Sequence, residues 1–207
     1  MSEADLSRRI ALRTATSADV AALRELVNSA YRGDSSRVGW TTEADLLGGQ
    51  RTDAAALTEF IAAAAEGRRA MLVGQAPTHD ANDRLAAGAK LDAGSKRDAG
   101  SKLDACVQLE RRGTDAYLGM LTVRPGLQSR GLGKLLLAGA EDFVAREWQA
   151  RTVTMTVIAQ RDELIAWYLR RGYARTGATA PFPYGDVRFG EPKRPDLHFV
   201  VLQKFLS

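Results

Sequence analysis

The stretch Leu118-Gly-Met-Leu-Thr-Val-Arg-Pro-Gly-Leu-Gln-Ser-Arg-Gly-Leu-Gly-Lys-Leu-Leu-Leu137 decides how this chain folds. Its first part is an apolar run of strand character that ends at Val123, because Pro125 has no N–H to give to a sheet ladder. The polar turn Gln128-Ser129-Arg130-Gly131 follows. Leu132, Leu135, Leu136, Ala140 and Phe143 then recur at helical spacing, which predicts a helix from Gly131 or Leu132 to about Trp148. Strand, glycine-bearing turn and helix, in that order, leave free backbone N–H groups at the positive end of a helix dipole. Such an end is a ready site for an anion.

Gly131 and Gly133 carry no Cβ, so the backbone there can approach a phosphate closely. Two familiar phosphate motifs nevertheless fail. A dinucleotide fingerprint asks for a third glycine where Leu136 stands. Gly126 to Gly131 has the spacing of a Walker A loop, but Leu132 occupies the lysine position and the Ser/Thr is missing. What remains, Gln128-Ser-Arg-Gly-Leu-Gly133, resembles the acyl-CoA-binding signature of the GCN5-related N-acetyltransferase superfamily, Gln/Arg-x-x-Gly-x-Gly/Ala. The resemblance implies that Gln128, Ser129, Arg130, Gly131, Leu132, Gly133 and Lys134 cradle the pyrophosphate of coenzyme A. It also implies that Leu121, Thr122 and Val123 run beside the pantetheine arm.

Upstream, Arg9 to Arg13 alternates as a short half-buried strand. Ser17 reads as the cap of a helix whose stripe Val20, Leu23, Leu26 and Val27 runs to about Tyr31. Gly33-Asp34-Ser35-Ser36 breaks it. A second helical region is expected from Thr41 or Thr42, with Glu43 in its first turn, interrupted at Gly48-Gly49 and resumed from Asp53 to Gly67. Met71 to Val73 is a short strand. Residues 76–104 carry a six-residue repeat, Lys90-Leu-Asp-Ala-Gly-Ser and its successors. Arg97 takes the place of an apolar residue in the second copy, so the pattern fails as a solenoid and reads as an exposed or mobile insertion in a hairpin.

Cys106 to Arg111 resumes alternation as a third strand, and Arg112 to Asp115 is a hairpin turn into the signature strand. Beyond the signature helix, Val153, Met155 and Val157 alternate with Thr152, Thr154 and Thr156, a strand by any reading. Asp162 to Arg171 forms a short helix closed by Gly172. Pro181 to Pro195 is an irregular excursion, and His198 to Leu206 the last strand. This order matches the N-acetyltransferase fold: α+β, with a mixed, mostly antiparallel twisted sheet of about six or seven strands and about four helices.

At 207 residues one domain is the default, spanning 1–207, and no apolar run approaches the ~18 residues of a membrane span. The amino terminus lacks a signal-peptide core, which points to the cytoplasm. One cysteine and two histidines rule out an internal disulfide and a histidine-rich metal site, so no metal is expected. The net charge of +4 suits an anionic cofactor; basic and acidic residues are interspersed without aromatic interleaving, which argues against nucleic acid.

The resemblance extends to Glu163-Leu-Ile-Ala-Trp-Tyr-Leu-Arg-Arg-Gly-Tyr173, where it implies that Tyr168 is the general acid for a departing thiolate. Arg161 stands where many members carry Asn, so that cofactor contact is open. The base is open too: Glu110 and Glu43 are candidates, as is a water chain. A backbone N–H near Leu121 to Val123 can polarise the thioester carbonyl if the strand splays from its neighbour. Arg124 joins Arg130 and Lys134 as cations near the phosphates, and Tyr31, Trp40, Glu43, Tyr184 and Phe189 are candidates for an acceptor pocket. The implied activity is acetyl transfer from acetyl-CoA to a primary amine of a small molecule or peptide; the alternative is a catalytically idle acyl-CoA sensor. Homodimers are common among proteins resembling this one.

Overall fold

The computed structural model describes residues 10–75 and 102–206. Among these residues nine strands run in chain order: β1 (Ala11–Thr14), β2 (Leu47–Gly48), β3 (Arg69–Gln75), β4 (Ala105–Arg112), β5 (Asp115–Val123), β6 (Thr152–Ile158), β7 (Ala174–Pro181), β8 (Glu191–Pro192) and β9 (His198–Phe205). Four α-helices accompany them among the described residues: α1 (Val20–Tyr31), α2 (Ala54–Ala62), α3 (Leu132–Trp148) and α4 (Asp162–Leu169). Seven strands form one sheet in the order β1-β3-β4-β5-β6-β9-β7, and β2 pairs with β8 beside it. Among the described strands only β5 and β6 are parallel neighbours; the other pairs are antiparallel.

Two apolar cores sit on the two faces. Leu23, Leu26 and Val27 of α1 and Leu57 and Phe60 of α2 pack with Met71, Val73 and Cys106. Leu136, Leu137, Ala140 and Val144 of α3 and Ile165 of α4 pack with Leu72, Val107, Leu109, Leu118, Val153 and Met155. The alternation of β6 places Val153, Met155 and Val157 inside, as its sequence dictates.

The parallel pair is where the sheet opens. β6 meets β5 only at Asp115–Tyr117, against Thr152–Thr154, while β9 pairs with β6 along its whole length. Past Tyr117 the strands diverge. A bulge in β5 helps: Cys106 faces Thr122 and Gln108 faces Gly119, so two steps along β4 are spanned by three along β5. Met120 takes the left-handed conformation there, with φ 46°. An L-residue in that region carries about 1–2 kcal/mol of strain, and bulges of this kind re-aim a strand beside a site.

Several local expectations change. The cap of the first helical stretch is Thr16, not Ser17: its N–H donates to Asp19 Oδ2 at 2.8 Å, and Asp19 also receives both Arg13 terminal nitrogens at 2.7 Å. No helix begins at Thr41 or Thr42. Residues 41–46 are turns and irregular backbone, because the Glu43 N–H donates to Tyr31 O at 3.1 Å and the Trp40 N–H to Gln128 Oε1 at 3.0 Å. Those distant acceptors replace the local ones a helix would use. β7 is an additional strand, formed by pairing with β9 around a register shift at Gly177, φ 83°. Residues 76–101 of the repeat region lie outside the described residues, but its expected end at Asp104 is too late. Leu103 is 1% exposed in the core, and Asp104 pairs with Arg124 at 2.9 Å. No helix among the described residues is long and apolar enough to cross a membrane.

Candidate active site

The divergence of β5 and β6 creates two adjoining cavities. The larger, about 720 Å³, runs from the N-terminus of α3 along Leu121 and Val123 to α4. The smaller, about 120 Å³, lies between β5, β6, the end of α1 and the β8 region. Tyr31, Leu121, Arg161, Leu164 and Tyr168 line both, so the two meet there.

The floor of the larger cavity is backbone. Ser129 and Gly131 are both left-handed, with φ 65° and 82°, which turns successive N–H groups toward one side. Among the described residues, no acceptor takes the N–H groups of Ser129, Arg130, Gly131, Leu132 or Gly133. They stand at the positive end of the seventeen-residue α3. Ser129, Gly131, Gly133 and Lys134 line the cavity directly, whereas Arg130 is exposed outside it and the Leu132 side chain is in the core. Gln128 plays another part than a direct ligand alone. Its Nε2 donates to Thr41 Oγ1 at 2.8 Å and to Val123 O at 2.9 Å, fastening loop, strand and cradle together. Gly39 is glycine for this contact, since a Cβ would sit 2.7 Å from Gln128 Oε1.

Three expected residues point elsewhere. Arg124 is committed to Asp104 and to the Leu103 carbonyl, so it tethers β4 and does not face the cavity. The Thr122 side chain is buried and donates to Met120 O at 2.9 Å. Tyr184 is 45% exposed, lines neither cavity, and spends its hydroxyl on Arg194 O and the Leu197 N–H. Trp40 walls the larger cavity with Trp167, ring centroids 6.1 Å apart.

Tyr168 occupies the junction. The one-turn spacing from Leu164 and Ile165 puts it on the inner face of α4, held edge-on by Trp167 and Tyr173 at 5.0 and 5.6 Å. It is 5% exposed, and burial pushes its phenol well above the ordinary value, so it keeps its proton. Among the described residues no group hydrogen-bonds its hydroxyl, although it borders both cavities. Across the cleft, Tyr31 donates to Leu121 O at 2.8 Å.

Glu43 and Glu110 fare differently as bases. Glu110 accepts from Gln108 at 2.8 Å on β4 and borders neither cavity. Glu43 is buried beside the smaller cavity, but Arg32 takes one oxygen and Arg161 the other, the latter at 2.8 Å. Burial alone would raise its carboxyl; the charges of Arg161 and Arg32 outweigh that and hold it below the ordinary range. A carboxylate so engaged is a poor proton acceptor. Arg161, in the place of the usual Asn, also donates to Thr41 O at 2.6 Å and so clamps the loop to α4. Cys106 is in the core, its thiol pushed up to about 12 by burial.

Sequence reasoning missed Arg171. It stacks on Trp167 at 3.5 Å and lines the larger cavity, and its buried Nε has no partner among the described residues. A buried N–H without an acceptor is costly unless a ligand supplies one. With five unpaired backbone N–H groups and Lys134, it makes a cavity built to receive a polyanion. The residues fit an anionic phosphate-bearing cofactor.

Fold and site together define a class: a splayed mixed sheet holding an anion cradle at a helix N-terminus beside a buried tyrosine. The chain belongs to the acetyltransferase (GNAT) family, whose model matches residues 20–173. No curated protein matches the sequence significantly. Similar solved structures include the yncA protein of Salmonella typhimurium with its cofactor acetyl-CoA, 18% identical at a TM-score of 0.61, covering 96% of this chain and 94% of that one. A ribosomal-protein-alanine N-acetyltransferase from Brucella melitensis is 19% identical at 0.61, over 95% and 99%. The PaiA N-acetyltransferase of Thermoplasma acidophilum, in complex with coenzyme A, is 15% identical at 0.58, over 95% and 99%.

Proposed function

We propose that this protein transfers the acetyl group of acetyl-CoA to a primary amine, with Tyr168 donating the proton to the departing sulfur. Bound acetyl-CoA supplies an activated acyl group; the rest is done by the chain. The N–H groups of residues 129–133, Lys134 and Arg171 hold the phosphates. The β5 edge at Leu121–Val123, which β6 leaves uncovered, offers main-chain groups to the pantetheine arm and to the thioester carbonyl. The amine enters from the smaller cavity and its nitrogen bonds to the carbonyl carbon. As the C–S bond breaks, the sulfur takes the Tyr168 proton, and the proton shed by the amine returns to solvent and restores the phenol. No carboxylate is assigned as base: Glu43 is engaged twice and Glu110 is remote. Water therefore carries the amine proton.

The observation that carries this reading is Tyr168, which lines both cavities, keeps its proton and has no hydrogen-bond partner for its hydroxyl among the described residues. Tyr168→Phe is expected to lower kcat for thiol release by ~10²–10⁴-fold while acetyl-CoA affinity by calorimetry is retained. Equal kcat in wild type and variant would remove Tyr168 from the mechanism. A sensor module would bind acetyl-CoA and release no thiol with any amine.

A further inference from the structure

The smaller cavity carries a charge pattern that the transfer chemistry does not use. Among the described residues three guanidinium groups line it, Arg32, Arg51 and Arg161, against the single carboxylate of Glu43. Arg161 is satisfied by Glu43 and Thr41 O. Arg32 is 5% exposed and gives its terminal nitrogens to Glu43, Tyr31 O and Phe189 O, yet its Nε is buried without an acceptor among the described residues. Arg51 makes no side-chain hydrogen bond or ion pair among the described residues and stands 5.8 Å from the Tyr31 ring centroid. Its position is not accidental. The Arg51 N–H donates to Asn28 Oδ1 at 2.7 Å, and Asn28 Nδ2 donates to Thr52 O at 2.9 Å, so α1 pins the backbone that delivers it. The remaining wall is aromatic and aliphatic, including Tyr117, Met155, Phe182 and Phe199.

We infer that the acceptor is a small amine bearing its own oxyanion, of which a free amino acid is the simplest case, received by Arg51 and the Arg32 Nε. This inference rests on the acetyl-transfer reading and adds the acceptor class to it. An oxyanion supplies the acceptors that both guanidinium groups lack, and Arg51 is free to engage it through two N–H groups. A second ammonium group, as in a polyamine, meets three cations and one carboxylate that is already doubly paired. The volume of about 120 Å³ lies below the ~300–1,000 Å³ of sites for drug-sized ligands, which favours an acceptor of few atoms.

The test is a competition. Wild-type protein with acetyl-CoA is given an equimolar pool of free amino acids, their amides, aminoalkylphosphonates and spermidine, and the acetylated products are counted by mass spectrometry. Carboxylate or phosphonate amines are expected to dominate; which of the two leads identifies the anion. Arg51→Ala is expected to cut the anion-over-amide ratio of kcat/KM by about thirty- to a hundredfold, mostly through KM, and Arg51→Lys to restore part of it. Amides or spermidine acetylated as well as the anionic amines would overturn the inference, as would an unchanged ratio in Arg51→Ala. Calorimetry of the N-acetylated amino acids against their amides reads the same preference without turnover. Absence of thiol release with every amine counts against acetyl transfer alone, whereas absence of the carboxylate preference in binding counts against this inference alone.

Discussion

A single carboxylate holds three pieces of the site in register. Glu43 joins Arg32, at the end of α1, to Arg161, at the start of α4, across a loop with no helical ladder of its own. Breaking a buried pair by removing one partner leaves uncompensated charge and costs about 3–5 kcal/mol, so Glu43→Gln is expected to lose that much stability at about pH 7. The pH dependence has a definite sign. The folded carboxyl titrates below its ordinary 4.5, so its contribution is complete above that value and is lost as pH falls through the folded one. Urea titrations from about pH 7 to about pH 3.5 are therefore expected to show wild type losing more stability than Glu43→Gln. Parallel loss in the two proteins would show that the pairs contribute nothing. Nothing in the local sequence marks Glu43 as an ion-pair hub, because its partners lie eleven residues before it and 118 after it.

At the scale of the element, the strand-turn-helix unit from β5 to α3 was legible and needed little correction. Its strand ends at Val123 and its helix spans Leu132–Trp148, as Pro125 and the leucine spacing dictate. The cradle depends on left-handed backbone at Gly131, where a Cβ adds strain of about 1–2 kcal/mol. Gly131→Ala is expected to weaken coenzyme A binding by about tenfold in calorimetry with little change in secondary structure by circular dichroism. Unaltered affinity would place the phosphates elsewhere. β7 was not legible: nearly all its residues are exposed, and an interior glycine breaks the alternation that marks a strand. It exists because β9 offers an edge to pair with.

At the scale of the whole molecule, the sheet is a frame that opens in one place. The parallel pair β5–β6 ends at Tyr117, and both cavities follow from that. The β3–β4 ladder closes the frame up to the described residues that flank 76–101. β3 and β4 pair up to Gly74 and Ala105, and Gln75 Nε2 reaches Lys102 O at 3.2 Å. Replacing residues 77–100 with a short turn is expected to shift Tm by only a few degrees and to leave acetyl-CoA affinity unchanged, since long surface insertions cost little in loop entropy. A large loss of Tm in a thermal melt would give that region a structural role. The exposed or mobile insertion read from its repeat thus stands as a proposal with this test.

The sequence by itself determined what short-range chemistry controls: the end of a strand at proline, a glycine turn, helical leucine spacing and an alternating threonine-valine strand. The coenzyme A signature belongs to that class, because the cradle is made of consecutive backbone groups. Tertiary structure alone decided which side chains face which cavity. It turned Arg124 onto Asp104, spent Gln128 on fastening a loop, and brought Arg32, Glu43, Arg51 and Arg161 from three segments to one small chamber. Those meetings depend on where two strands part, and no local pattern of residues encodes that distance.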